Sequence, residues 1–245
     1  MLSLAAQSAL SCTKNMRWND DPPFTFIDQQ NPGVIQGMSV DITRQILSAL
    51  GCELNLIKMP WARALISIKE GNIDILSGAY NTQERRDYAH FSTTGLYSPN
   101  ILFVRKNETE RWSFTSLKDI VNTSFILGVQ INVSYSQESE KLKDQADFIS
   151  RLHQNSSRQS LWRMLALNRV DGVIADKMTG LAELKELGLK NKVTASQLIV
   201  SNEPSFFAFS KKNIDPKFVE QFDAEFSKLL NNGEIKRIED FYLNR

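Results

Sequence analysis

Histidine and cysteine are nearly missing from this chain, with two of each in 245 residues. His90 and His153 stand alone, and Cys12 and Cys52 form neither a C-x-x-C pair nor a Cys/His group. A zinc site needs such a cluster, so no metal centre is expected. Long apolar runs are also missing. None approaches the ~18–20 residues of a transmembrane helix. Neither sign of charge dominates, since 29 basic residues face 28 acidic ones and leave a net charge of +1. That balance gives no broad attraction for nucleic acid or an anionic membrane. A charged partner must therefore be held by a few placed groups.

What the chain does have is an ordinary globular composition. Apolar residues make up 42% and charged residues 23%, which is enough apolar side chain to build a core. The length suits one large domain or two smaller ones. The start, MLSLAAQSALSC, is apolar, rich in small residues and uncharged before Lys14. It resembles the tail of a secretory signal without its basic n-region. The alternative is a frayed native N-terminus.

Secondary-structure signals alternate. Residues 14–18, KNMRW, read as a strand, and NDDPPF is a turn because its prolines and aspartates cannot continue one. A helix runs from about 38 to 50 with Met38, Ile42, Ile46, Ala49 and Leu50 on one face, and Gly51 is a suitable stop. Residues 53–59 read as a second strand, 61–70 as a second helix and 73–77 as a third strand. Strand–helix–strand order implies a parallel sheet. If the first two strands are parallel neighbours, Cys12 and Cys52 lie at the same sheet edge, within bridging distance. A disulfide is favoured, with two independent thiols as the alternative.

The second half repeats the theme. Strands are expected at 124–130, 147–150 and 170–175, and helices at 134–143 and 158–168. A shift of 97 residues sets Val170-Asp171 on Ile73-Asp74, Trp162 on Leu65 and Leu165 on Ile68. Two extended apolar runs, 100–105 and 205–210, read as crossings between two lobes. Two amphipathic helices follow, at about 215–230 and 233–242. Lobe I is expected to hold residues 1–102 and 206–245, and lobe II residues 103–205. The hinge crossovers fall near 101–106 and 203–209.

Ligands of open parallel sheets bind beyond the carboxyl ends of the strands. In the first lobe that end is Ser77-Gly78-Ala79-Tyr80, followed by a short helix with Asn81 or Thr82 as N-cap and Arg85 in its first turn. Backbone N–H groups, a hydroxyl and a guanidinium suit an anion. In the second lobe the matching strand ends at Asp176. A cation facing an anion across a cleft fits a zwitterion. The plainer readings are a solvated Arg85 and an Asp176 that only caps the next helix. Arg86 is read as solvated, and Asp74 and Asp171 as structural.

The ordered set PPFTF (22–26), GMSVDI (37–42), PW (60–61), GNIDIL (71–76), TQERRDYAHFS (82–92), LFVR (102–105), LGVQ (127–130), RVDGVIAD (169–176) and NNGEIKRI (231–238) resembles the extracellular solute-binding proteins of family 3, the amino-acid receptors of bacterial ABC importers. The resemblance runs over nearly the whole chain from about residue 14. It implies an α/β, two-lobed periplasmic-binding-protein fold of type II, each lobe a mostly parallel sheet flanked by helices, with two crossover strands at the hinge. It also implies that Arg85 binds a ligand α-carboxylate and Asp176 the α-ammonium, with Ser77, Gly78, Tyr80 and Thr82 at the strand end adding contacts. The hinged cleft would close on its ligand and present the closed form to a transporter.

Three features depart from the family pattern. Where a Gly-Thr-Thr-like loop is common, this chain has Gln130-Ile131-Asn132-Val133-Ser134, with Ser134 as the substitute. The segment 74–82 is one residue shorter, and Tyr80 stands where a small hydroxyl residue is usual. The aromatic residue that often stacks on the ligand has candidates in Trp18, Phe24 and Trp61, of which Trp61 is the best placed. The expected protein is a monomeric periplasmic receptor with no cofactor, no catalytic residue and no nucleic-acid partner. It would deliver a small polar ligand to ABC-transporter membrane subunits. The rival readings are an enzyme of the same fold acting on a small acid, for which Glu84 is the nearest carboxylate, and a ligand-sensing module.

Overall fold

The computed structural model describes residues 12–28 and 30–243. The signal-like segment ahead of Cys12 lies outside them. Two five-stranded sheets organise the chain. The first has the order Cys52–Lys58, Cys12–Trp18, Ile75–Ala79, Phe206–Ser210, Ala89–Phe91. The second has the order Val193–Ser201, Asn100–Arg105, Gly172–Asp176, Leu127–Gln130, Leu152–Asn155.

Each sheet has a parallel half, the half expected from strand–helix–strand order. The antiparallel half comes from the crossing strands. Phe206–Ser210 runs against Ile75–Ala79, and Asn100–Arg105 against Gly172–Asp176. Each crossing strand thus lies beside the strand that ends at the cleft. The connections themselves run through 92–99 and 202–205 and pair with each other, Leu96 and Ser205 exchanging N–H···O bonds of 2.8 and 3.0 Å. Gly95 makes this approach possible, because a Cβ there would stand 2.7 Å from Pro204 Cβ and 2.8 Å from Ser205 O.

Helices cover both faces of each sheet. The helices Met38–Ala49, Pro216–Asn231 and Glu234–Leu243 bury one face of the first sheet. There Phe207, Phe209, Phe222 and Phe226 pack tilted or edge-on in a fully buried cluster. Each such phenylalanine contributes about 1.5–3 kcal/mol by leaving water. Trp61–Glu70 covers the other face and stops at Gly71 in the left-handed conformation, as its sequence position predicts. In the second sheet Arg158–Ala166 and Lys177–Glu186 bury one face, where Phe103 meets Trp162 edge-on.

The 97-residue repeat has a physical basis. Asp74 accepts the Asn15 N–H at 2.7 Å, and Asp171 accepts the Ile126 N–H at 2.9 Å. Each aspartate, one residue ahead of its strand, ties that strand to the residues beside its parallel neighbour. Asn213 and Arg105 respectively hold the other carboxylate oxygen, at 2.9 and 2.7 Å.

Two sequence expectations need correction. Residues 147–150 are not a strand: Ala146–Ile149 is a helical turn that buries Phe148, and the strand follows at Leu152–Asn155. That strand is a sheet edge, so its side chains are half wet and carry no apolar run. The helix expected from 134 begins at Gln137, because Ser136 caps it by accepting the Ser139 N–H.

Cys12 and Cys52 are register partners on the parallel strands Cys12–Trp18 and Cys52–Lys58, and they form a disulfide. The bond closes a loop with a sequence separation of 40. Replacing both cysteines by alanine is expected to cost about 2–4 kcal/mol, chiefly by freeing the unfolded chain. For a chain of this length the melting temperature should fall by roughly 4–16 °C. A calorimetric melt that does not move would contradict that role. Among the described residues no helix is long and apolar enough to cross a membrane.

Candidate functional site: a cleft between facing strand ends

The strands Ile75–Ala79 and Gly172–Asp176 point their carboxyl ends at one another across a cavity of about 160 Å³. Seven of the eight predicted ligand residues line it: Trp61, Ser77, Gly78, Tyr80 and Arg85 from the first lobe, Ser134 and Asp176 from the second. Thr82 does not. It serves as N-cap of the short helix Gln83–Arg86, its hydroxyl accepting the Arg85 N–H at 3.3 Å. Gly78, with φ of +75°, bends the strand end in a conformation that costs other residues about 1–2 kcal/mol.

Arg85 and Arg86 separate cleanly. Arg86 lies on the surface, where Asn81 and Gln83 hold its guanidinium. Arg85 is 6% exposed. Its Nη1 donates to the Tyr80 carbonyl at 3.1 Å and its Nη2 to the Asn132 carbonyl of the opposite lobe at 3.3 Å. The ring of Trp61 lies 5.6 Å from the guanidinium, and the Trp61 Nε1 donates to the same Asn132 carbonyl at 3.2 Å. Asn132 presents that carbonyl from the left-handed region, which asparagine tolerates. Burial lowers the Arg85 pKa, and attraction to Tyr88, Glu140 and Glu84 only partly offsets it. No carboxylate lies within ion-pair distance of Arg85 among the described residues.

Asp176 combines both roles that its sequence allowed. Its Oδ1 accepts the Thr179 N–H at 2.9 Å and caps the helix Lys177–Glu186, and the carboxylate also lines the cavity. Burial raises its pKa, outweighing the Ser98 hydroxyl, the Thr179 N–H and the attraction of Arg158. Asp176 has no ion pair among the described residues.

Tyr80 reaches the second sheet. Its hydroxyl accepts from Asn100 Nδ2 at 2.8 Å and donates to Ser201 Oγ at 3.3 Å. The bulky residue therefore fills space at the crossing strands, and burial pushes its pKa up.

Sequence reasoning missed a second charged group in the cleft. Asp21, from the NDDPPF turn, accepts from Arg17 Nη1 at 2.8 Å and from Arg158 Nη2, across the lobes, at 2.8 Å. Burial works against the charge of Asp21, but the two arginines outweigh it and hold the carboxyl below its usual range. Arg158 also grips Glu183, with Nε at 2.7 Å, and Gln130 at 3.0 Å. No local pattern links Asp21 to Arg158, 137 positions later. The available sign was only that each polar side chain follows a turn or cap facing the cleft.

Two α/β lobes meet at a cavity between strand ends that charged and polar side chains enter. The chain belongs to the bacterial extracellular solute-binding proteins, family 3, which its residues 17–245 match. Solved structures share the fold. The P235GK mutant of ArgBP from T. maritima is 22% identical, with a TM-score of 0.79 over 95% of this chain and 96% of that one. A histidine kinase sensor domain with similarity to periplasmic binding proteins is 19% identical, with a TM-score of 0.81 over 96% of each chain. A substrate-binding protein of an ABC uptake transporter from Streptococcus pneumoniae, with bound histidine, is 19% identical, with a TM-score of 0.77 over 95% of this chain and 93% of that one. No curated protein sequence matches the chain.

Proposed function

We propose that this protein is a periplasmic receptor that closes its hinged cleft on one amino acid, or a similar small zwitterion, and delivers it as a monomer to an ABC importer. One observation carries the reading. Arg85, buried, and Asp176, partly buried, are charges of opposite sign in one cavity, and neither has an ion-pair partner among the described residues. A buried charge without a counter-charge is costly. An α-carboxylate on Arg85 and an α-ammonium on Asp176 relieve both costs at once. Ser77, Gly78 and Ser134 supply further polar contacts, and Trp61 and Tyr80 wall the pocket. The two connections joined at Leu96 and Ser205 are the hinge, and because the strand Asn100–Arg105 lies whole in the second sheet, lobe II begins near 100 and not at 103, with lobe I resuming at 206. The disulfide fits an oxidising compartment, and the family is extracellular. Catalysis is less well supported, since Glu84 is 77% exposed.

A melting-temperature screen against single amino acids and small carboxylates tests the reading. A ligand at about 1,000 times its Kd stabilises the fold by about 4 kcal/mol. The expected result is a rise of roughly 8–16 °C with at least one zwitterion. No response to any zwitterion would overturn it.

A further inference from the structure

The charges left in the cleft after Arg85 and Asp176 are Arg17, Asp21 and Arg158. Asp21 is their sole carboxylate, and it is already shared between two guanidiniums at 2.8 Å each. Arg158 uses four of its N–H groups: one on Asp21, two on Glu183 and one on Gln130. Glu183 in turn accepts the buried Trp162 Nε1–H, so the grip on Arg158 is anchored in the core of the second lobe. Arg158 thus reaches across the cleft from a fixed base and holds the acceptors that a cationic side chain would need.

From this arrangement we infer that Arg158 is a specificity-determining residue: its guanidinium stands in for a cationic ligand side chain, so the cleft selects amino acids whose side chains carry no positive charge. The inference rests on the zwitterion reading and deepens it. A lysine-type ligand would bring a second ammonium beside Arg17 and Arg158, with no unshared carboxylate to receive it. Like charges brought together in a desolvated site are strongly disfavoured.

Isosteric pairs separate charge from size. Calorimetric titration of the wild-type protein with ornithine against norleucine, and with 2,4-diaminobutyrate against norvaline, is expected to favour the neutral member by at least about tenfold. In Arg158→Ala/Glu183→Gln, which strands no carboxylate on Glu183, Asp21 keeps only Arg17 and space opens beside it. The ornithine-to-norleucine affinity ratio should then rise by at least about tenfold, whatever happens to either affinity alone. A wild-type preference for the cationic member overturns the inference while leaving the zwitterion clamp standing. So does an unchanged ratio in a cooperatively melting variant. If the variant does not fold, the wild-type ratios decide. Binding of no amino acid from the whole panel overturns the clamp and this inference together.

Discussion

Arg85→Ala is expected to weaken binding of the cognate amino acid by about 2–5 kcal/mol, roughly 30- to 4,000-fold. The size follows from burial. Arg85 is held at 6% exposure, with Trp61 on one side and two backbone carbonyls fixing its nitrogens. A carboxylate that meets it leaves water for a rigid fork, where two parallel hydrogen bonds form at once. Without the guanidinium the ligand carboxylate is buried unpaired. Arg85→Lys keeps the charge and loses the fork, so it should fall between the wild type and alanine. Neighbouring Arg86→Ala is the internal control. Its guanidinium is exposed on Asn81 and Gln83, and the variant should bind within about twofold of wild type, the scale of surface changes. Equal affinities for Arg85→Ala and wild type would remove Arg85 from the site.

Asp176→Asn separates binding from stability. The ammonium of the ligand loses its carboxylate, so affinity should fall by about 2–5 kcal/mol, again the cost of truncating one member of a buried charged pair. The empty protein should become more stable. Asparagine caps a helix as well as aspartate does, so the Thr179 N–H keeps an acceptor. The buried charge meanwhile disappears. Burial raises the folded-state pKa of Asp176, so the folded protein holds that proton more tightly than the unfolded chain. Ionised Asp176 therefore penalises the empty fold above its folded pKa, and the penalty is relieved as pH falls through that value. At neutral pH the variant should melt higher, by about 1 kcal/mol or roughly 2–4 °C, and the gap should close in acid. Wild-type affinity should weaken over the same acid range as Asp176 takes up a proton. An asparagine variant that melts lower at neutral pH would show that Asp176 is structural.

Local chemistry made part of this site legible. The turn after a buried strand, a capping threonine and an arginine in the first helical turn placed Arg85, and a second strand ending in aspartate placed Asp176. The shared spacing of Asp74 and Asp171 reflected a shared task, because each aspartate must tie one strand to the residues beside its neighbour. The parallel pairing of 12–18 with 52–58 brought the cysteines together. What stayed hidden depends on contacts without a local pattern. The edge strands Ala89–Phe91 and Val193–Ser201 went unread because half of their surface is wet or irregular. Residues 147–150 misled because an apolar pair around Phe148 serves a helical turn as well as a strand. Thr82 was placed in the pocket by its neighbour, whereas its hydroxyl is spent on the helix cap. The Arg17–Asp21–Arg158–Glu183 group joins residues from both lobes, and only the packed structure assembles it.

In the proposed function two unpaired charges, buried Arg85 and partly buried Asp176, hold the two ends of one zwitterion. Calorimetric titration with the tightest-binding amino acid, its decarboxylated amine and its deaminated acid tests this most directly. Each analogue is expected to bind at least about 30-fold more weakly, because each leaves Arg85 or Asp176 without its partner. An acid or an amine that binds within about threefold of the parent amino acid would contradict it.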